Sequence, residues 1–124
     1  MRELKFRAWD RVKRKMLYGV SPFNVHITDE NEPLLSLEYS KHDDCEFEQY
    51  TGLKDKNGKE IYEGDIVEYA YTRCKYIVVY RRYDASFVLE NDDREEIIHL
   101  HYDRQSDYEV AGSIHENPEL LEEE

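Results

Sequence analysis

A chain of 124 residues with a formal net charge of −12 is one average domain, or two very small ones sharing a core. Its 40% hydrophobic content against 37% charged leaves little apolar material to spare. An acidic body repels nucleic-acid phosphate at long range, which disfavours a general DNA- or RNA-coating role. The charge is unevenly spread: residues 1–20 carry seven Lys/Arg and two acids, net +5, and residues 21–124 carry ten and 27, net −17. Two binding modes stay compatible with this distribution, local nucleic-acid contact through the basic N-terminus or docking to a basic protein. The plain alternative is that the acidity serves solubility. No long apolar run occurs and charge begins at Arg2, so neither a membrane span nor a signal peptide is expected. The expected compartment is cytoplasmic, with Cys45 and Cys74 as reduced thiols.

In chain order, "LKFRAW" at 4–9 alternates Leu4, Phe6 and Ala8 against Lys5, Arg7 and Trp9, a strand pattern. A polar bend from Asp10 to Lys15 should return it as a hairpin to "MLYGV" at 16–20. "FNVHI" at 23–27 alternates too, 28–33 is an acidic turn, and 34–39 fits strand or short helix equally. Residues 40–46 read as a loop, with extended chain resuming at 47–50. In "YTGLKDKNGKEIYEGDIVEY", 50–69, a two-residue Asn57-Gly58 turn would oppose the like charges of Asp55 and Glu60. A three-residue loop, Lys56-Asn57-Gly58, pairs Asp55 with Lys59, Lys54 with Glu60 and Leu53 with Ile61. The register therefore selects a type I turn with Gly58 left-handed. Glu63-Gly64 forms a second turn into a strand over 65–71. Strands are then expected at 75–83, 86–90, 95–102 and 108–114, with Asn117 capping a one-turn helix that starts at Pro118. The fold class is mainly β. A small SH3-like barrel is expected in 51–124, with a hairpin-rich region, 1–50, packed on it and a short C-terminal helix.

Candidate sites are weighed against structural roles. Asp55, Asn57 and Glu60 suggest a calcium loop, but glycine falls at the fourth position and Ile66 at the twelfth, so the spacing fails. His99 and His101, two apart on the expected strand, would share a face. A third metal ligand would have to come from His26, His42, His115 or a carboxylate, and spacing selects none. No phosphate loop, nucleophile elbow or Walker pattern occurs, so no catalytic residue, cofactor or metal is assigned and enzymatic activity is not expected. Arg11, Lys13, Arg14 and Lys15, beside Trp9, would form a phosphate-binding loop, a solvated hairpin tip, or a strip that complements an acidic neighbour in the same protein or another subunit. Eleven of sixteen aromatic residues are tyrosine. Tyr76, Val78 and Tyr80 face one side of their strand, with Ile77, Val79 and Tyr83 on the other; Val67, Tyr69 and Tyr71 face away from Ile66. A wall that is apolar on both sides must be covered by the N-terminal half or by another subunit. The expected interaction surface is therefore Trp9, Arg11, Lys13, Arg14, Tyr69, Tyr71, Tyr76 and Tyr80.

Three blocks, "KFRAWD" at 5–10, "QYTGLKDKNGKEIYEGDIV" at 49–67 and "VAGSIHENPELL" at 110–121, give the chain a resemblance to the YopX-like proteins of bacteriophages and prophages. The resemblance implies a small, mainly β phage protein that assembles into homo-oligomers in a bacterial host, with no catalytic or cofactor residues established for the family. The expected function is an accessory protein acting by protein–protein interaction, with itself and with a basic host or phage protein. The alternatives are a nucleic-acid-binding module using the basic N-terminus and a metal-binding protein at His99/His101.

Overall fold

The first hairpin forms where the alternation places it. Strands β1 (Phe6–Asp10) and β2 (Lys15–Val20) pair antiparallel, with Asp10 opposite Lys15 and Trp9 opposite Met16. Asp10 builds the turn: its Oδ1 accepts the Val12 and Lys13 N–H groups, each at 3.0 Å, and its carbonyl accepts the Arg14 N–H at 2.7 Å. Short carboxylates favour turns by this local capture of backbone donors. The computed structural model describes residues 4–20, 45–82, 84–91 and 96–122. The expectations for 23–27, 28–33 and 34–39, and those resting on His26, His42 and Tyr83, lie outside them. Among the described residues, nine strands form two antiparallel sheets, ordered β2-β1-β3-β4 and β8-β7-β6-β5-β9. The chain divides into two compact units, Met1–Tyr50 and Thr51–Glu124.

In the first unit, β3 (Cys45–Lys54) pairs with β1 on the side away from β2. The loop expected over 40–46 therefore gives way to strand at Cys45. Arg7, Ala8, Trp9 and Asp10 are all buried, because β1 is the middle strand and both of its faces are covered. Arg7 is accommodated by charge: its Nε donates to Glu48 Oε1 at 2.8 Å, inside the unit. The apolar cluster beside it is small, Ala8, Val20 and Cys45 with Leu17 and Phe47 against them.

The second unit opens with residues 51–54 of β3, which turn into β4 (Glu60–Tyr62) through the loop the register selected. The Gly58 N–H donates to the Asp55 carbonyl at 3.0 Å, the Asp55 N–H donates to the Lys59 carbonyl at 2.8 Å, and Gly58 has φ 82°. The remaining strands are β5 (Asp65–Tyr69), β6 (Lys75–Arg81), β7 (Ser86–Asn91), β8 (Glu96–His99) and β9 (Tyr108–Ser113). β6 stops at Arg81, paired with Ser86, two residues short of the expected end. The core is Ile61, Val67, Tyr76, Val78, Leu89 and Tyr108. Cross-strand partners share a face, so Ile66, Ile77, Val79 and Val88 lie on the reverse side, where Ile66 and Val88 are fully buried. Both sides of the sheet thus carry apolar residues, as the alternation implies. The closed barrel does not form: among the described residues β8 and β9 are the two edges, with no pairing between them. β8 is only four residues long, and the chain leaves it for a 3-10 helix, Tyr102–Asp107, before β9 begins.

The C-terminal turn lies where Asn117-Pro118 predicts it, as a 3-10 helix over Pro118–Glu122. Asn117 reaches back, its Oδ1 accepting the Ser113 N–H at 3.3 Å and its N–H donating to the Ser113 carbonyl at 2.8 Å. A Cβ at Gly112 would meet the Asn117 side chain, so glycine there is required by close approach.

Candidate interaction surface

The central glycine block is scaffold in its geometry. Asp55 is buried, with Oδ1 accepting the N–H groups of Asn57 and Lys59 at 2.8 and 2.9 Å and Oδ2 accepting that of Val110 at 2.9 Å. A carboxylate so used fastens its hairpin to β9. Asp65 is buried as well, and its Oδ2 accepts the Tyr62 N–H at 2.8 Å across the second turn.

The basic residues and Trp9 part company. Arg11, Lys13, Arg14 and Lys15 are exposed around the first hairpin tip, while Trp9 is only 7% exposed. Trp9 is therefore withdrawn from the interaction surface, since it belongs to the covered middle strand. The tip keeps its cations and an exposed Val12.

The four tyrosines likewise divide. Tyr76 is fully buried in the core, its hydroxyl donating to Thr72 Oγ1 at 2.9 Å, so it too is withdrawn from the surface. Tyr69 is half-buried and forms the hub of a ring cluster, with centroids 5.4 Å from Tyr71, 6.5 Å from Tyr76 and 5.8 Å from Tyr108. Tyr71 reaches the surface, 68% exposed, with the Arg104 guanidinium carbon 5.4 Å from its ring centre. Such a cation–π contact holds the ring without burying it. Tyr80, 42% exposed, packs edge-on against Phe87 at 5.2 Å. Burial pushes the Tyr108 phenol up from its ordinary range, partly offset by the His101 N–H that donates to it at 2.9 Å. The sequence reading missed exposed Tyr102 and Ile97, which the expected strand over 95–102 had placed in a regular alternation.

That strand also carried the histidine pair. His99 ends β8 and His101 lies beyond it, so the two do not share a strand face. They still line a common cavity of about 410 Å³ at the end of β7 and β8, with Thr51, Ser86 and Tyr102 around it and apolar side chains beneath. Among the described residues, no group of three His, Cys, Asp or Glu is arranged to hold a metal. Beside the cavity, Arg81 bonds Asp84 through Nη2, and Ser86 Oγ donates to Asp84 Oδ1 at 2.8 Å. The Arg81 bond, with the Ser86 bond adding to it, lowers the Asp84 carboxyl from 3.8 to about 2. Cys45 and Cys74 are not disulfide-bonded, and no helix among the described residues is long and apolar enough to cross a membrane.

A family match, described as YopX protein, covers residues 5–122, nearly the whole chain. The chain belongs to the YopX family. Two solved structures agree with the assignment. Protein EF1440 from Enterococcus faecalis is 29% identical, with a TM-score of 0.65 over 98% of this chain and 99% of that one. Protein yopX from Bacillus subtilis is 18% identical, with a TM-score of 0.55 over 94% and 97%, a likeness of fold. No curated protein matches the chain. Within the YopX family assignment, the glycine block, the Asn117-Pro118 turn and the buried Trp9 all have structural roles in this member.

Proposed function

We propose that this YopX-family protein is a phage or prophage accessory protein that works by protein–protein interaction in the bacterial cytoplasm, as a homo-oligomer presenting an acidic, tyrosine-rich surface and without catalysis of its own. The observation that carries the reading is the exposed aromatic and aliphatic set of the second unit, Tyr71, Tyr80, Ile97 and Tyr102, on a chain of net charge −12. Large apolar side chains left exposed favour association, and acidity selects basic partners. The open five-stranded sheet, a four-strand meander with its last strand returned beside the first, supports an SH3-like ancestry for this unit. Light scattering tests the reading directly. A mass above one chain at tens of micromolar, falling toward one chain in Tyr71→Ser and Ile97→Glu, is the expected result. A single-chain mass at every concentration and salt would overturn it.

A second reading follows from the first hairpin, where Arg11, Lys13, Arg14 and Lys15 share one exposed tip. Four cations so placed suit a phosphate backbone, although Trp9 supplies no stacking surface. Gel-shift titration at low salt with DNA and RNA decides it; unretarded nucleic acid at micromolar protein removes it.

A further inference from the structure

The cavity beside His99 and His101 has a lining unlike the rest of this acidic chain. Its volume, about 410 Å³, falls within the roughly 300–1,000 Å³ of small-molecule sites. Its floor is Leu53, Phe87 and Leu100, each half-buried and packed against the core, and its walls include Ser86, His99, His101 and Tyr102. Among the described residues no carboxylate lines it, in a chain with 29 acidic residues. A second, smaller cavity of about 190 Å³ shows the contrast, with Glu68, Asp107 and Glu109 in its wall. Of the carboxylates close in the chain to the first cavity, Asp84 is engaged by Arg81 and Ser86, and Asp103, one residue beyond Tyr102, is exposed outside the lining. Behind His99, the Arg81 Nη2 stands 3.4 Å from the imidazole Nε2.

Two chemistries converge here. Phe87, His99, His101 and Tyr102 bring four ring side chains to one cavity, which suits stacking or edge contact with a flat ring. The imidazoles and the Tyr102 hydroxyl are hydrogen-bonding groups at a rim where, among the described residues, no lining carboxylate repels a negative charge. The site rests on the chemistry of this cavity alone; it shares Tyr102 with the exposed set of the proposed association, and its test is separate from association through Tyr71 or Ile97. We propose that the cavity binds a small aromatic anion, one flat ring system bearing a single carboxylate or phosphate. The ring lies over Leu53, Phe87 and Leu100, and the anion sits at the histidine rim.

The test is an amide-shift titration of the full chain with indole-3-carboxylate and with adenosine monophosphate, against indole and inorganic phosphate as controls. Saturable shifts confined to residues 86–87 and 99–102, with a dissociation constant of about 1 mM or tighter, are expected for a ring anion. Whichever ring anion binds tighter identifies the anionic group. Each control should bind at least about tenfold more weakly, since it lacks one of the two contacts. His99→Ala and His101→Ala, at exposed positions where the fold is kept, should each weaken binding several-fold, and Tyr71→Ala should not. The proposal is overturned if neither ring anion saturates, if phosphate alone binds as well, or if binding survives both histidine substitutions.

Discussion

In the unit Met1–Tyr50 the interior holds a charge pair, Arg7 against Glu48, beside Ala8, Val20 and Cys45. In Thr51–Glu124 the interior holds tyrosine rings, and its buried carboxylates are gripped by backbone N–H groups: Asp55 by those of Asn57, Lys59 and Val110, Asp65 by that of Tyr62. Burying a side-chain ion pair removes two charges from water and holds two long side chains in one geometry. A carboxylate held by fixed backbone dipoles needs no second buried charge and organises the turn around it. Among the described residues, the first unit thus joins distant positions through a buried side-chain ion pair, and the second through local turns tied to distant strands.

The comparison breaks or sharpens under four measurements. Glu48→Ala should be the most damaging, costing about 3 kcal/mol because a buried guanidinium loses a charged partner. Hydrogen exchange should then accelerate first in β1 and β2 while β6 and β7 keep their protection; equal loss in both units would erase the distinction. Asp55→Ala should cost about 2 kcal/mol by depriving buried N–H groups of their acceptor, with the reverse exchange pattern and the clearest change at Val110. Gly112→Ala should cost about 1–2 kcal/mol in urea denaturation, because its Cβ meets Asn117. Adding Asn117→Ala should return part of that loss, since the two changes share one contact. The smallest effect belongs to Asp84. Its folded value, about 2, lies below the ordinary 3.8, so its contribution is present above that ordinary value and disappears as pH falls toward the folded one. A carboxyl titration by NMR should place its midpoint near 2 and move it upward at high salt, because the group is exposed to screening.

Much of the candidate surface was legible as residue type and little of it as exposure. Alternation placed Tyr76 and Tyr80 on one face correctly, yet Tyr76 lies in the core and Tyr80 opens to solvent. Periodicity reports which residues point together, and the neighbours packed above them set how deep each one sits. Trp9 shows the same limit, since its strand proved to be the middle one. His99 and His101 reach a common cavity without the shared strand face expected of them, because β8 stops at His99 and the chain then turns.

By itself the sequence determined the β1–β2 hairpin, the Asp55–Lys59 register with Gly58 left-handed, and the position of the turn at Pro118. Each depends on partners only a few residues apart, where charge pairing and backbone sterics act directly. Only the tertiary structure decided that the five-stranded sheet stays open, that Arg7 is buried against Glu48, and that Asp55 also reaches Val110. Those outcomes join residues tens of positions apart, and no local preference encodes which distant group arrives.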